Sequence, residues 1–345
     1  MNIHFKCNEN QIMKSLQYHD GKFKGDMEAL TMTAKDWANS TWRFLFKKNH
    51  QSPEAPLAIR PVDLSFFNTR AKNQLNSTWL GHSSLMINMD GYRILTDPVF
   101  ETKLTLMGPT RFNKIFPIDP GQLKDIDLVL ISHDHYDHLS KSSIQVLCPV
   151  TKLFIVPLAV GKRLVAWGVP ENKIIELDWW ETCPFDSGLT ITAAPARHFS
   201  GRGIGDRNAT LWASYVVSSP GFRFFYSGDS GYFTGFREIG DKFGPFDTTF
   251  LECGAYNKAW HFVHMFPEET VKAHLDLKGR VLHPIHWGTF NLSLHPWFEP
   301  MERLVTAAGN NHIQIATPMA GETIDYGKGD RGSAWWTKTG KKERL

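Results

Sequence analysis

The chain has 345 residues, enough for one large domain or two smaller ones with a substantial core. Hydrophobic residues make up 42% and charged residues 21%, an ordinary globular balance, and a formal net charge of +3 gives no reason to expect nucleic acid as a partner. No apolar run approaches the roughly 20 residues that span a bilayer, no apolar leader is visible, and the four cysteines (Cys7, Cys148, Cys183, Cys253) form no CxxC pair, so the expectation is a cytoplasmic protein with reduced thiols that meets a membrane, if at all, peripherally.

Residues 1–75 are polar, with isolated aromatics such as Trp37, Trp42 and Phe44, and are expected to form an N-terminal extension of one or two helices packed on the main body. Strand signals then become frequent. SLMINM, Asp90–Gly91 and YRILTD read as a β-hairpin with a two-residue turn. DLVLIS, KLFIVP, KIIEL, LTITAAPA, ASYVVSS, FRFFYSGD, TTFLE, RVLHPIHW and IQIATP follow as further strands. Helical patterns lie between some of them: LAVGKRLVAWG after Pro157, PEETVKAHLDLK from Pro267 and PWFEPMERLVTAAG from Pro296. The pattern predicts an α/β protein whose sheets carry helices on their outer faces, with a main domain over 76–328 and a tail over 329–345, in which Trp335 and Trp336 have something to pack against.

The strand DLVLIS runs directly into HDHYDH, where His133, His135, Asp137 and His138 are all metal-ligand types. So many imidazoles in so short a stretch would repel one another unless coordination held them neutral. His133 and His135 project to one side of extended chain, and Asp137 and His138 follow where it turns, so the two pairs can face two ions. Two ions need further ligands, and these are expected at other strand ends: His198 after LTITAAPAR, Asp229 after FRFFYSG and His286 after RVLHPI. Asp229 is placed to bridge. A set of nitrogen and oxygen donors without Cys suits two Zn²⁺ ions, with Fe or Mn as alternatives, and favours catalysis over a closed structural site or a non-catalytic metal-binding protein. Asp134 should face away from the centre, while His82 and Asp97 read as supporting or turn-stabilising groups.

HDHYDH resembles the HxHxDH signature of the metallo-β-lactamase superfamily. LTDPVF, MGPTRF, LVLISHDHYDHL, IIELDWWE, FFYSGDSGYF, EIGDKFGPFD, GAY, PEE and IHWGTFNL together resemble the N-acyl-phosphatidylethanolamine-hydrolysing phospholipase D family and its bacterial relatives, over roughly residues 78–300. The resemblance implies an αββα sandwich of two mixed sheets. It assigns His133, His135 and His198 to one zinc and Asp137, His138 and His286 to the other, with Asp229 between them. It also places His264, in FVHMFPEE, near the substrate, to contact phosphate or protonate the leaving group.

Two ions about 3.5–4 Å apart can hold a bridging hydroxide as nucleophile and neutralise a phosphodiester's oxygens, with Asp137 orienting or receiving the nucleophile's proton. The leading expectation is therefore a binuclear phosphodiesterase acting on N-acyl-phosphatidylethanolamine or a related amphiphile. A lactonase or other carbonyl-ester or amide hydrolase with the same centre is the alternative. The Gly-rich SGRGIGDRN is expected to form a mobile loop rimming the site, with Arg197, Arg202 and Arg207 attracting anions, and MGPTRFNKIF mixes apolar and cationic groups suited to covering such a substrate. Nothing in the sequence specifies an oligomer.

Overall fold

A computed structural model describes residues 9–25, 50–186, 188–203 and 205–339. Cys7, Trp37, Trp42 and Phe44 lie outside them; Cys148, Cys183 and Cys253 are free thiols. A short helix, Glu9–Lys14, and a hairpin of β1 (Tyr18–His19) and β2 (Lys22–Phe23) open the described chain. They bring Ile12 and Phe23 against Leu158, Leu211 and Trp212 of the main body.

The first large sheet holds β3 (Leu75–Gly81), β4 (Ser84–Met89), β5 (Tyr92–Thr96), β6 (Ile126–Leu130), β7 (Thr151–Pro157) and β8 (Ile174–Leu177). The second holds β9 (Thr182–Phe185), β10 (Leu189–Ala194), β11 (Ser214–Ser218), β12 (Arg223–Tyr226), β13 (Phe246–Glu252), β14 (Gly279–Ile285) and β15 (Gln314–Ile315). The chain then returns as β16 (Thr323–Asp325) to the β3 edge of the first sheet. The orders are β16-β3-β4-β5-β6-β7-β8 and β15-β14-β13-β12-β11-β10-β9. In each sheet a meander passes into parallel strands, at β5–β6 in the first and β12–β13 in the second.

The β4–β5 turn is the one the sequence predicts. Asp90 and Gly91 both take positive φ, 53° and 85°, as a two-residue hairpin demands, and a Cβ at Gly91 would meet the Arg70 carbonyl at 2.8 Å. Strand β6 shows why its run is wholly apolar. Leu128 and Leu130 join the core between the sheets, with Ile191, Val217, Phe224 and Phe250 opposite. Val129 and Ile131 join a second cluster on the outer face, with Ile144, Leu147 and Leu164 from the helices Lys141–Leu147 and Gly161–Ala166. A strand covered on both faces cannot alternate with polar residues. On the other outer face, helices Gly235–Phe243, Pro267–Asp276 and Glu299–Asn310 contribute Phe236, Ile239, Val271, Met301 and Leu304. Pro267 opens its helix at a position that needs no N–H, and Glu269 Oε2 accepts the Phe266 N–H at 2.9 Å.

Four strands of the large sheets differ from the sequence reading. IQIATP shortens to Gln314–Ile315, and β3, β9 and β16 are strands that the pattern did not announce. Beyond residue 329, Trp335 and Trp336 are buried, and Trp335 stacks on Trp287 with ring centroids 5.2 Å apart. Among the described residues no helix is long and apolar enough to cross a membrane.

Candidate metal centre

The parallel strands β5 and β6 of one sheet and β12, β13 and β14 of the other point their C-terminal ends to a common edge, where irregular chain begins. From the first sheet come His82 just after β3, Asp97 after β5, and Ser132 to His138 after β6. From the second come His198 beyond β10, Asp229 beyond β12, Glu252 at the last position of β13 and His286 directly after β14. His82 and His286 take positive φ, 56° and 62°, and the His286 N–H donates to the His82 carbonyl at 3.1 Å. Two imidazoles from facing sheets are thereby held with ring centroids 4.1 Å apart, in a backbone conformation non-glycine residues rarely adopt.

All seven residues expected as ligands meet here. His133 Nε2 lies 2.8 Å from His135 Nδ1, and His198 Nε2 lies 3.3 Å from that same nitrogen. On the other side, His138 Nε2 and His286 Nε2 are each 3.5 Å from Asp137 Oδ2. Asp229 stands between the two sets. Its Oδ1 is 3.1 Å from His138 Nε2, and its Oδ2 is 3.1 Å from His286 Nε2, 3.7 Å from His198 Nε2 and 3.9 Å from His133 Nε2. Tetrahedral ligands on bonds of ~2.1 Å sit roughly 3.4 Å apart, which these separations bracket. Moreover His138 Nε2, His286 Nε2 and Asp229 Oδ1 are buried, and although they lie within 3.1 Å of the facing groups they make no well-aligned hydrogen bond. Buried polar atoms left in that state are costly unless something else binds them. The donor set fits one ion held by His133, His135 and His198, a second by Asp137, His138 and His286, and Asp229 shared.

The charge state differs between the two sets. Burial pushes His133 and His198 well below the ordinary imidazole range, and the neighbouring histidines add to the shift. Neutral imidazoles are what a divalent ion requires. Burial opposes protonation of His138 and His286 too, but Asp229 and Asp137 outweigh it, raising His138 well above the usual value and His286 to about 10. Burial alone would raise Asp229 and Asp137, yet the same histidines hold both well below the carboxylate range. The centre is therefore built to keep cationic charge between these carboxylates.

Asp97 carries the supporting role expected of it. Its Oδ2 accepts from His138 Nδ1 at 2.6 Å, the Tyr226 hydroxyl at 2.6 Å and Ser132 Oγ at 2.5 Å, while Oδ1 accepts the Ser132 N–H at 2.7 Å. His82 sits closer to the expected ligands than the sequence reading has it, with Nε2 3.0 Å from Asp137 Oδ2. Asp134 does turn away, receiving Arg163 at 2.8 Å and the Gly201 N–H at 2.8 Å. His264 stacks beside His286, and its Nδ1 bonds Glu252 Oε2 at 2.9 Å. Glu252 was not singled out by the sequence. Fully buried, it takes the Ser230 N–H on Oε1, and burial with Asp229 nearby pushes its carboxyl well above the usual range. The available signal was a carboxylate closing an apolar strand, TTFLE, as His286 follows RVLHPI.

The expected arginine rim is different. Arg202 donates to the Asp134 and Leu139 carbonyls at 2.8 and 2.6 Å, bracing the HDHYDH turn instead of facing a ligand. Arg197 lies over Phe262 and Arg207 over Phe199. The Gly-rich loop is tied down as well, because Asp206 Oδ1 accepts the N–H groups of Arg202 and Gly203. Arg111, expected among the cationic groups of a covering loop, is buried: it donates to the Leu80 and Val99 carbonyls between Phe116 and Phe290. Beside His286 a small pocket is lined by the aromatic rings of Phe112, Trp287, Phe290 and Trp297 and by the polar side chains of Gln51, Asn291 and His295.

Comparison with known proteins agrees with this geometry. Residues 92–287 match the beta-lactamase superfamily domain. An uncharacterized protein of Mycobacterium tuberculosis is 40% identical over 332 residues, covering 94% of this chain and 88% of its own. The N-acyl-phosphatidylethanolamine-hydrolyzing phospholipase D 1 of Caenorhabditis elegans is 34% identical over 250 residues, covering 68% of this chain and 70% of its own. A metallo hydrolase from the archaeon Ignicoccus hospitalis shares the fold with a TM-score of 0.53 at 21% identity, covering 73% of this chain and 98% of that one.

Proposed function

The chain belongs to the β-lactamase superfamily of metal-dependent hydrolases, and from that premise we propose that it is a binuclear phosphodiesterase of phospholipase D type, acting on N-acyl-phosphatidylethanolamine or a related amphiphilic phosphodiester. The observation that carries the reading is the paired donor set joined by Asp229, with His264 and a small aromatic-walled pocket beside it. The name of the Caenorhabditis elegans relative supports the choice of substrate class.

His133, His135 and His198 would hold one zinc, and Asp137, His138 and His286 the other, with Asp229 shared between them. The bound metals supply Lewis acidity, lowering the pKa of a water and drawing charge from the phosphoryl oxygens. The protein's own groups do the rest. Asp97 keeps the His138 Nδ1 proton engaged, so Nε2 presents its lone pair to the centre. Glu252 holds the His264 ring in place through Nδ1, and that ring's Nε2 would take a proton from the attacking water and return it to the leaving alkoxide. Asp137, partly open to the cleft, orients the attacking water through Oδ2. Phe112, Trp287 and Phe290 exclude water and receive the apolar part of the substrate.

The test is to incubate zinc-loaded protein with an N-acyl-phosphatidylethanolamine in detergent micelles and identify the products by mass spectrometry. Phosphatidic acid plus N-acylethanolamine is the expected pair. Cleavage of a lactone by a sample that leaves this phosphodiester intact would move the chemistry to a carbonyl centre.

A further inference from the structure

A small hairpin projects from the rim of the metal centre. Lys103 and Thr110 pair antiparallel, the Leu104 N–H donates to the Pro109 carbonyl at 3.2 Å, and the Gly108 N–H closes the tip on the Thr105 carbonyl at 3.1 Å. The turn is thus Thr105 to Gly108. A Cβ at Gly108 would crowd the Thr105 hydroxyl, at 2.5 Å. The two central positions are Leu106 and Met107. Turn centres are ordinarily Gly, Asn, Asp, Pro or Ser, each for a conformational reason, and neither Leu nor Met has one. They are also the most exposed large apolar side chains among the described residues, at 90% and 93%. Ile115, on the segment that follows, is 67% exposed, and Lys103 on the stem and Lys114 on that same following segment are exposed as well.

The base of the hairpin is rigid. The Arg111 N–H donates to the Thr102 carbonyl at 2.7 Å, and the Phe112 N–H to the Thr289 carbonyl at 2.8 Å. Thr289 Oγ1 in turn accepts the His82 N–H at 2.7 Å, and Phe112 is a wall of the pocket beside His286. An apolar tip on a stiff stem with cations at its sides suits neither a closed core nor a water-facing loop. Its chemistry matches an anionic lipid surface, in which apolar side chains enter the acyl boundary while lysines stay at the headgroups.

We propose that the hairpin Lys103–Thr110 docks the protein on an anionic lipid surface through Leu106 and Met107, with Lys103 and Lys114 on the headgroups. The docking stands on the hairpin itself; that it delivers substrate rests on the phosphodiesterase reading. Zinc-loaded full-length protein is co-sedimented with phosphatidylcholine vesicles, with and without phosphatidylglycerol. Hydrolysis of a short-chain, water-soluble phosphodiester is followed in parallel. The wild type should bind the anionic vesicles. Leu106→Ser with Met107→Ser should partition about tenfold or more less well. Lys103→Gln with Lys114→Gln should lose the preference for phosphatidylglycerol, and soluble turnover should be unchanged in both. Equal sedimentation of the wild type and the serine variant overturns the proposal, as does a wild type that ignores vesicles. A wild-type dimer that the serine variant abolishes would also overturn it, by assigning the tip to a second copy. Vesicle binding that depends on the tip, without phosphodiester cleavage, supports the docking and removes the hydrolysis reading alone.

Discussion

Replacing Asp97 by Asn changes one atom and should disable the centre from behind. Asn tolerates the left-handed backbone at this position, where φ is 34°, as Asp does, so the chain need not move. The carboxylate takes three donors on Oδ2 (His138 Nδ1, Tyr226 OH, Ser132 Oγ) and the Ser132 N–H on Oδ1. An amide has only one oxygen. If it stays on the Ser132 N–H, an NH₂ group faces His138 Nδ1, which must then surrender its proton. The proton moves to Nε2, the nitrogen 3.1 Å from Asp229 on which metal binding depends. If the amide flips, the fully buried Ser132 N–H is left facing a donor, at a cost of about 1–3 kcal/mol. Either way metal affinity at the Asp137–His138–His286 set should fall by about 10- to 100-fold, the usual scale for losing such a supporting carboxylate. Competition titration of zinc against a chromogenic chelator measures this directly, with circular dichroism confirming the fold. A variant that is folded and binds two equivalents with wild-type affinity would refute the reasoning.

Asp229→Asn should fold and lose both activity and close to half or more of the bound metal by elemental analysis; full metal content with full activity would remove its bridging role. His264→Ala should lower turnover with metal content unchanged, and Glu252→Gln should do so in the same direction by reversing the His264 tautomer; loss of metal from His264→Ala would place it among the ligands. Away from the centre, burial pushes His274 down to about 4 and His283 to about 3. Both are neutral in the fold and gain a proton on unfolding below about pH 6.5, so the unfolded state binds more protons between those values and stability falls as pH drops through that window. At pH 5 each should withdraw about 2 kcal/mol relative to pH 7. In chelator-treated protein, the stability lost between pH 7 and pH 5 in urea melts should be about 2 kcal/mol smaller for His274→Gln than for the wild type; identical losses would show that His274 titrates normally.

Much of the site was legible because its chemistry is concentrated where strands end. His133, His135, Asp137 and His138 fall within six consecutive positions, and His198, Asp229 and His286 each follow an apolar run closely enough to be read from period and position. Glu252 escaped because it occupies the final position of a strand, where a glutamate looks like any other boundary residue; only the return of His264 onto it reveals its role. Arg111 and Arg202 were misread for a related reason. Their sequence context is polar and loop-like, and what buries or engages them are carbonyls remote in the chain. Three of the covering helices and the β4–β5 hairpin follow from local periodicity and turn chemistry, whereas the helices Lys141–Leu147 and Gly235–Phe243 were not read from the pattern. β9 and β16 are short edge strands whose identity comes from the neighbour they pair with, Leu189–Ala194 and Leu75–Gly81 respectively, and not from their own residues.

The division of ligands between the sheets has a mechanical meaning. His133, His135, Asp137 and His138 hang from the first layer; His198, Asp229 and His286 hang from the second. Ions held by both sets would act as rivets through the open edge of the sandwich, joining segments far apart in the chain in the way a cross-link does. Saturating metal should then stabilise the folded state in proportion to its excess over the dissociation constant. Stripping it should leave each sheet's own ladder protected from hydrogen exchange while the seam between the sheets, at the edge that carries the ligands, begins to breathe.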